Sequence, residues 1–326
     1  MAELAECKYV TADGHSCPNK EMGAGYCWWH DPKFDKSGMD ITEKLEHYAQ
    51  DGGFLYGLKL KRANLKGLNL VKRGKSQGYD LSGSDLYRAN LTNAHLFNLT
   101  LTNGSIMKAD LSGANIHCCN FNQSNLLGVK LIGARLDNLN VGNTIQQEQI
   151  GRQAEKAGDL DKALDNFEQS EEIYRDLRKA TEQQGLFEAS GKFAHKELIM
   201  RRLQLPKYSM QRVTSKFVDL LCGYGEKPLN VISFSLSFIF ICSLCYFALG
   251  VQSGNVITSL DFNHTLQQNF YDFISCLYFS VVTFTTLGYG DITPIGLSRV
   301  VAALEAFSGS FTLALFVVVF VKKMTR

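Results

Sequence analysis

From Leu229 to Val251 the chain runs for 23 residues without one charged side chain. A helix needs about 20 apolar residues to cross the hydrocarbon core of a bilayer, so this run is long enough to span. A second run, Val300 to Val321, is interrupted only by Glu305 and the small polar residues flanking Gly309. It stops at Lys322 and Lys323, with Arg326 just beyond, and Lys216 and Lys227 precede the first run. Lys and Arg favour the cytoplasmic side, so both ends face inward and a two-span hairpin follows. The mean hydropathy of -0.10 therefore averages a polar body over 1–228 with an apolar membrane segment. Lys+Arg 34 against Asp+Glu 32 leaves a formal +2, with no global bias toward nucleic acid.

Between the runs lies Ser275–Pro294, SCLYFSVVTFTTLGYGDITP. Its segment Thr285-Thr286-Leu287-Gly288-Tyr289-Gly290-Asp291 resembles the selectivity filter of potassium channels, and Phe273–Phe284 before it resembles their pore helix. A motif gains weight from its structural context, and here it lies between two spans of opposite direction. A dehydrated K+ needs its water oxygens replaced by rings of backbone carbonyls. One subunit supplies a quarter of each ring, so the resemblance implies a homotetramer in a lipid bilayer. Successive carbonyls face one axis only if the backbone alternates in hand, and Gly288 and Gly290 permit positive φ at no steric cost. By resemblance the ion is held along Thr286, Leu287, Gly288, Tyr289 and Gly290, with Thr285 and Asp291 as support. Where the family has a pore-helix Trp bonded to the filter Asp, this chain has Tyr278 and Phe279, so the Tyr278 hydroxyl is expected on Asp291.

In the second span, Gly309 resembles the gating hinge at which the inner helix of such channels bends. Close helix packing is the other use of glycine there. Glu305 is an ionisable group at membrane depth, with a buried hydrogen-bonding role behind the filter as the expectation. Two spans and no Arg-rich helix imply no voltage sensor. The few residues after the second span leave regulation to the N-terminal part.

An apolar residue recurs at every fifth position from Leu81 through Leu86, Leu91 and onward to Leu136 and Val141. Two places before most of them sits a small residue, such as Ser84, Ala89, Ala94, Ala109 or Ala114. An earlier set, Leu55, Leu60, Leu65 and Leu70 with Ala63, shares the spacing but is out of phase across Arg73–Gly78, which should bulge as a loop. A period of five matches neither helix nor strand and fits a solenoid that turns a corner at each repeat. Ala89–Asn93 (ANLTN) and Ala109–Gly113 (ADLSG) resemble pentapeptide repeats, whose fold is a right-handed quadrilateral β-helix. Some members of that family mimic DNA through an acidic surface. Residues 51–144 hold 11 Lys/Arg against 5 Asp/Glu, the opposite sign, so no nucleic-acid mimicry is expected. His117, Cys118 and Cys119 read as ordinary surface and core positions of the solenoid.

Ile145–Leu203 changes to helical patterning punctuated by Gly158 and Gly185, giving about three helices that resemble tetratricopeptide-like hairpins. Tyr208–Cys222 places Val213, Phe217, Leu220 and Leu221 on one side, as an interfacial helix along the inner leaflet would.

The first thirty residues hold Cys7, Cys17, Cys27 and His30 at C-x9-C-x9-C-x2-H spacing. Three thiolates and one imidazole complete a tetrahedral Zn2+ shell with no open position, hence a structural site. His15 is an alternative ligand. No apolar leader opens the chain, so a cytoplasmic N-terminus with reduced thiols is expected. Ile41–Gln50 reads as a short helix capping the open end of the solenoid.

The expectation is thus a multidomain chain. A zinc-binding segment with its capping helix spans 1–48, a pentapeptide-repeat β-helix 49–144, a helical hairpin module 145–207, and an interfacial helix with a two-span pore 208–326. It is a plasma (inner) membrane potassium channel with both termini cytoplasmic. No nucleophile–base pair, phosphate loop or open metal site suggests an enzyme. A weakly selective cation channel and a membrane-anchored pentapeptide-repeat scaffold are the competing readings.

Overall fold

The computed structural model describes residues 5–72, 74–254, 256–262 and 264–325. Arg73 and Arg326, on which parts of the loop and charge expectations fall, lie outside them. The chain forms two compact units, Met1–Ser209 and Met210–Arg326.

In the first unit the five-residue period becomes a coil. Parallel bridges join Asp80 to Thr100, Asp85 to Ser105, Asn90 to Asp110 and so on to Asn120 with Asn140. Each pairing is offset by twenty residues, or four five-residue sides per turn. The large residues of the period, Leu81 through Val141, are all buried, and so are the small ones between them. Leu99, Cys119 and Val129 fill small positions that lack a small residue. The sequence around each corner has a physical reason. Asp80, Asn90, Asp110, Asn115 and Asn120 each accept the backbone N–H two residues on, as Asx turns do. The residue one place further enters the left-handed region, as in Gly83, Asn93, Asn98, Asn103 and Gly113. Gly and Asn tolerate that region best, which explains why they recur there.

Earlier coils pair Lys59 with Asp85, Asn64 with Asn90 and Asn69 with His95. That offset of 26 instead of 20 corresponds to six extra residues, the length of the out-of-phase stretch at 73–78.

Both ends of the coil are covered. Helix α1 (Thr42–Gln50) drives Leu45 and Ala49 into the core, and the Glu46 carboxylate accepts the Asn69 N–H at 2.7 Å. At the other end stand α2 (Gln146–Ala157), α3 (Leu160–Gln183) and α4 (Phe187–Leu203). Gln184 accepts from the Leu136 N–H at 2.9 Å and donates to the Ala134 carbonyl. Gln147 donates to Asn125 at 2.7 Å. Gly158, at φ 84, ends α2, and the Asp159 side chain starts α3 by accepting from the Lys162 N–H. Inside this module the buried Glu148 carboxylate meets Arg152 at 2.8 Å, Lys196 at 3.2 Å and the Tyr174 hydroxyl at 2.6 Å. Burial works against the Glu171 carboxylate, but Gln204, Arg201 and Arg175 together hold it below the usual carboxylate range.

The second unit begins with α5 (Met210–Cys222), followed by α6 (Pro228–Leu249), α7 (Leu266–Phe284) and α8 (Ser298–Met324). Helices α6 and α8 are long and apolar enough to cross a membrane. A three-stranded antiparallel sheet, which the sequence analysis did not anticipate, links them on one side. Its strands are β1 (Val251–Ser253), β2 (Val256–Thr258) and β3 (Ile292–Pro294), in the order β2-β1-β3. The α5 face corrects one expectation: Val213, Phe217 and Leu220 are exposed, but Leu221 is buried. Cys222, Val231 and Val319 form a small core nearby, and Lys322 meets Glu226 at 2.6 Å, tying the linker before α6 to the end of α8.

Truncating a fully buried inward residue of the solenoid leaves a cavity that a coil so narrow cannot close. Leu111→Ala is expected to cost about 2–5 kcal/mol. The denaturant midpoint of the far-UV signal checks this, and a midpoint equal to that of the unaltered chain would count against the inward assignment.

Candidate functional site

Helix α7 is longer than the pore-helix-like stretch read from the sequence. It starts at Leu266, with the Thr265 hydroxyl accepting from the Gln268 N–H. Its last turn leads straight into 285–291, so its carbonyl end, the negative end of the helix dipole, faces the start of that segment. The Thr286 N–H donates to the Thr283 carbonyl and the Leu287 N–H to the Val282 carbonyl, extending the turn by two residues.

Beyond that the backbone reverses hand at every second residue. Thr286 has φ 58, Gly288 φ 58 and Gly290 φ 79, while Leu287 and Tyr289 stay out of that region. The sequence pointed to the two glycines and missed Thr286, because a threonine carries no composition signal for positive φ. Leu287 and Tyr289 are exposed in the single chain, at 60% and 68%. The Thr285 hydroxyl donates back to the Val281 carbonyl at 2.7 Å. The Tyr278 hydroxyl donates to the Asp291 carboxylate at 2.9 Å, tying the end of this segment to α7. Strand β3 begins at the next residue and pairs with β1, Ser253 opposite Ile292, which anchors the exit of the segment.

Behind α7, the buried Glu305 carboxyl of α8 accepts from the Tyr246 hydroxyl of α6 and the Ser280 hydroxyl of α7, both at 2.5 Å. Ser280 also lies 2.9 Å from the Ile239 carbonyl. Tyr246 and Ser280 gave no signal in the sequence, since neither belongs to a motif. Gly309 sits where a Cβ would stand 2.0 Å from the Phe284 carbonyl oxygen, at the end of α7. Helix α8 runs through this glycine without a break, and the close approach to Phe284 leaves no room for a side chain there.

A second cluster lies in the first unit. Cys7, Cys17, Cys27 and His30 are all buried, and their Sγ and Nδ1 atoms lie within 4.8 Å of one another. Cys17 and Cys27 are 3.8 Å apart, Cys7 and His30 3.7 Å, Cys27 and His30 3.1 Å. A tetrahedral centre with Zn–S of about 2.3 Å and Zn–N of about 2.0–2.1 Å separates its ligand atoms by about 3.5–3.8 Å. The set fits such an ion and is far from the sulfur separation of a disulfide. The other ring nitrogen of His30, Nε2, is 2.7 Å from the Tyr56 carbonyl. That contact orients the ring and leaves Nδ1 toward the cysteines. Burial lowers the His30 pKa against the pull of the Tyr56 carbonyl, which keeps the ring neutral, the form that ligates. Burial pushes the Cys17 thiol up to about 12, so only a cation in the cluster would hold it as a thiolate at neutral pH. Backbone and amide groups already point at the sulfurs: Cys27 N–H to Cys7 at 3.3 Å, Asn19 Nδ2 to Cys27 at 3.8 Å. His15 is exposed and outside the cluster.

Residues 234–326 match the family model described as an ion channel, and 78–113 and 105–143 match pentapeptide repeats. Two cyanobacterial pentapeptide-repeat structures from Nostoc resemble the chain. HetL, involved in heterocyst differentiation regulation, is 26% identical over 27% of this chain, with a TM-score of 0.14. The chain spans only 57% of the length of HetL. The second is 25% identical over 31% of this chain and 78% of its own, with a TM-score of 0.18. A third, from Cyanothece 51142, is 21% identical over 31% of this chain and 94% of its own, with a TM-score of 0.16. No curated protein matches. The chain thus carries an ion-channel domain at its C-terminal end, behind a pentapeptide-repeat domain.

Two substitutions separate the parts of this site. Gly309→Ala forces a Cβ into the Phe284 carbonyl, and overpacking of this kind costs about 1–3 kcal/mol. The melting temperature of the detergent-solubilised protein should fall; a hinge role without packing would alter gating and leave that temperature unchanged. Tyr278→Phe removes the donor to Asp291 and should shorten the lifetime of the conducting state in single-channel recordings. Identical dwell times would show that the bond does not steady the segment.

Proposed function

We propose that the chain is one subunit of a homotetrameric, potassium-selective channel that conducts K+ passively down its gradient. The observation that carries the reading is the alternating hand of 285–291, at the carbonyl end of α7 and between two membrane-length helices. A chain with that alternation turns successive carbonyls to one side, as replacement of a hydration shell requires. Four copies of Thr286, Leu287, Gly288, Tyr289 and Gly290 would line the path. The exposure of Leu287 and Tyr289 in a single chain agrees with surfaces completed by neighbouring subunits. Thr285 and the Tyr278–Asp291 bond serve as supports, and Gly309 is the position at which the inner helix could bend without a side chain to obstruct it.

The protein lies in the plasma (inner) membrane with both termini cytoplasmic, a reading supported by the Lys residues that flank both spans. The soluble unit, a right-handed quadrilateral β-helix with a tetratricopeptide-like hairpin module, serves assembly or regulation and connects to the pore through α5. The Cys7, Cys17, Cys27 and His30 cluster holds a structural Zn2+.

The test is ion flux through proteoliposomes under K+ and Na+ gradients. K+ should pass and Na+ should not, with a bi-ionic reversal potential near the K+ equilibrium value, and Gly290→Ala should abolish the flux. Equal passage of the two ions would leave a non-selective pore, and a protein that is monomeric in the bilayer would remove the channel reading.

A further inference from the structure

Lys36 is 1% exposed, and its ammonium has no hydrogen-bond partner among the described residues. A buried ammonium left without a partner is costly, so a compensating charge is expected close by. Its visible neighbours are aromatic faces, the Trp28 ring at 5.0 Å and the Phe34 ring at 5.3 Å, which offset part of that cost. The charges that act on it are the Asp31 carboxylate and the Cys27 sulfur, which favour the ammonium, and the Lys44 ammonium, which opposes them. Three thiolates and a neutral imidazole around a divalent cation carry a net charge of about -1.

The same cluster is tied to the beginning of the solenoid through several strands of contact. His30 reaches the Tyr56 carbonyl, and the Lys59 N–H donates to the Trp29 carbonyl at 2.8 Å. The Gly38 N–H donates to the Arg62 carbonyl at 2.9 Å, and Asp40 bridges to Asn64 in parallel. Asn19, beside Cys27, donates to the Tyr48 hydroxyl of α1 at 2.7 Å. A solenoid is held by contacts between neighbouring coils, so an uncovered end frays inward.

We infer that the cluster is an anionic metal centre with Lys36 as its built-in counter-ion, and that the filled centre locks the first coil of the solenoid. This rests on the reading of the cluster as a Zn2+ site. Outer-shell partners of a metal contribute about tenfold or more to its retention.

The full chain in detergent is compared with Lys36→Met, which keeps the length but not the charge, and Lys36→Arg, which keeps the charge. Metal content is measured by mass spectrometry and zinc release with a chromogenic chelator. Expected are one zinc per chain in the unaltered protein, about tenfold easier release from Lys36→Met, and retention in Lys36→Arg. Amide exchange after chelation of the unaltered protein should rise over 38–64 and stay low over 115–140, a readout that stands even where Lys36→Met does not fold. Zinc bound at one per chain but released equally by all variants, or exchange unchanged over 38–64, overturns the inference and leaves the metal reading intact. A protein purified without zinc that takes up none overturns both.

Discussion

Thr286, Gly288 and Gly290 hold a peptide backbone that changes hand at each step, and the membrane unit is arranged around keeping it so. A short segment with alternating φ has no internal hydrogen-bond ladder and would relax unless held at both ends. Helix α7 holds the entrance through its extended last turn, and the pairing of β3 with β1 holds the exit. The Tyr278–Asp291 bond ties the exit back to α7 across the segment. Only then does the position of Gly309 matter, because it lets α8 press directly against the Phe284 carbonyl at the base of the same segment.

The solenoid uses the left-handed region differently. There it appears once in every five residues, at a corner, and at many corners an Asx side chain closes the turn before it. Between corners the chain pays for nothing unusual, since each bridge is an ordinary parallel pairing with the coil above or below. The weak points are the two ends, and both are closed by other parts of the chain: α1 and the cysteine cluster at one, Gln147 and Gln184 of the helical module at the other.

Much of this was legible in the sequence because it is periodic or motif-borne. The five-residue spacing identified the inward residue at each large position from Leu81 to Val141, though not Leu99 and Val129 at the small ones, and the phase break located the insertion. Two long apolar runs marked the spans. The spacing of Cys7, Cys17, Cys27 and His30 marked a cluster whose ligand atoms the fold brings within 4.8 Å. What escaped was held by single long-range contacts. Lys36, Tyr246 and Ser280 look unremarkable in one dimension, and the short strands β1 to β3 are too brief for alternation to show. The burial of Leu221 was missed because helical spacing places residues on a side but does not say what covers it.

The Glu305 carboxyl joins three helices at one point: Tyr246 brings in α6, Ser280 brings in α7, and Glu305 itself belongs to α8. A helix fastened in this way cannot swing as a free lever. Any displacement of its upper half carries α7 with it or breaks two short hydrogen bonds inside the apolar core. Movement confined below Gly309 leaves those two bonds intact and disturbs instead the Lys322–Glu226 pair and the packing of Val319. The fastening therefore divides the helix into an upper part held among three helices and a lower part held by separate contacts of its own.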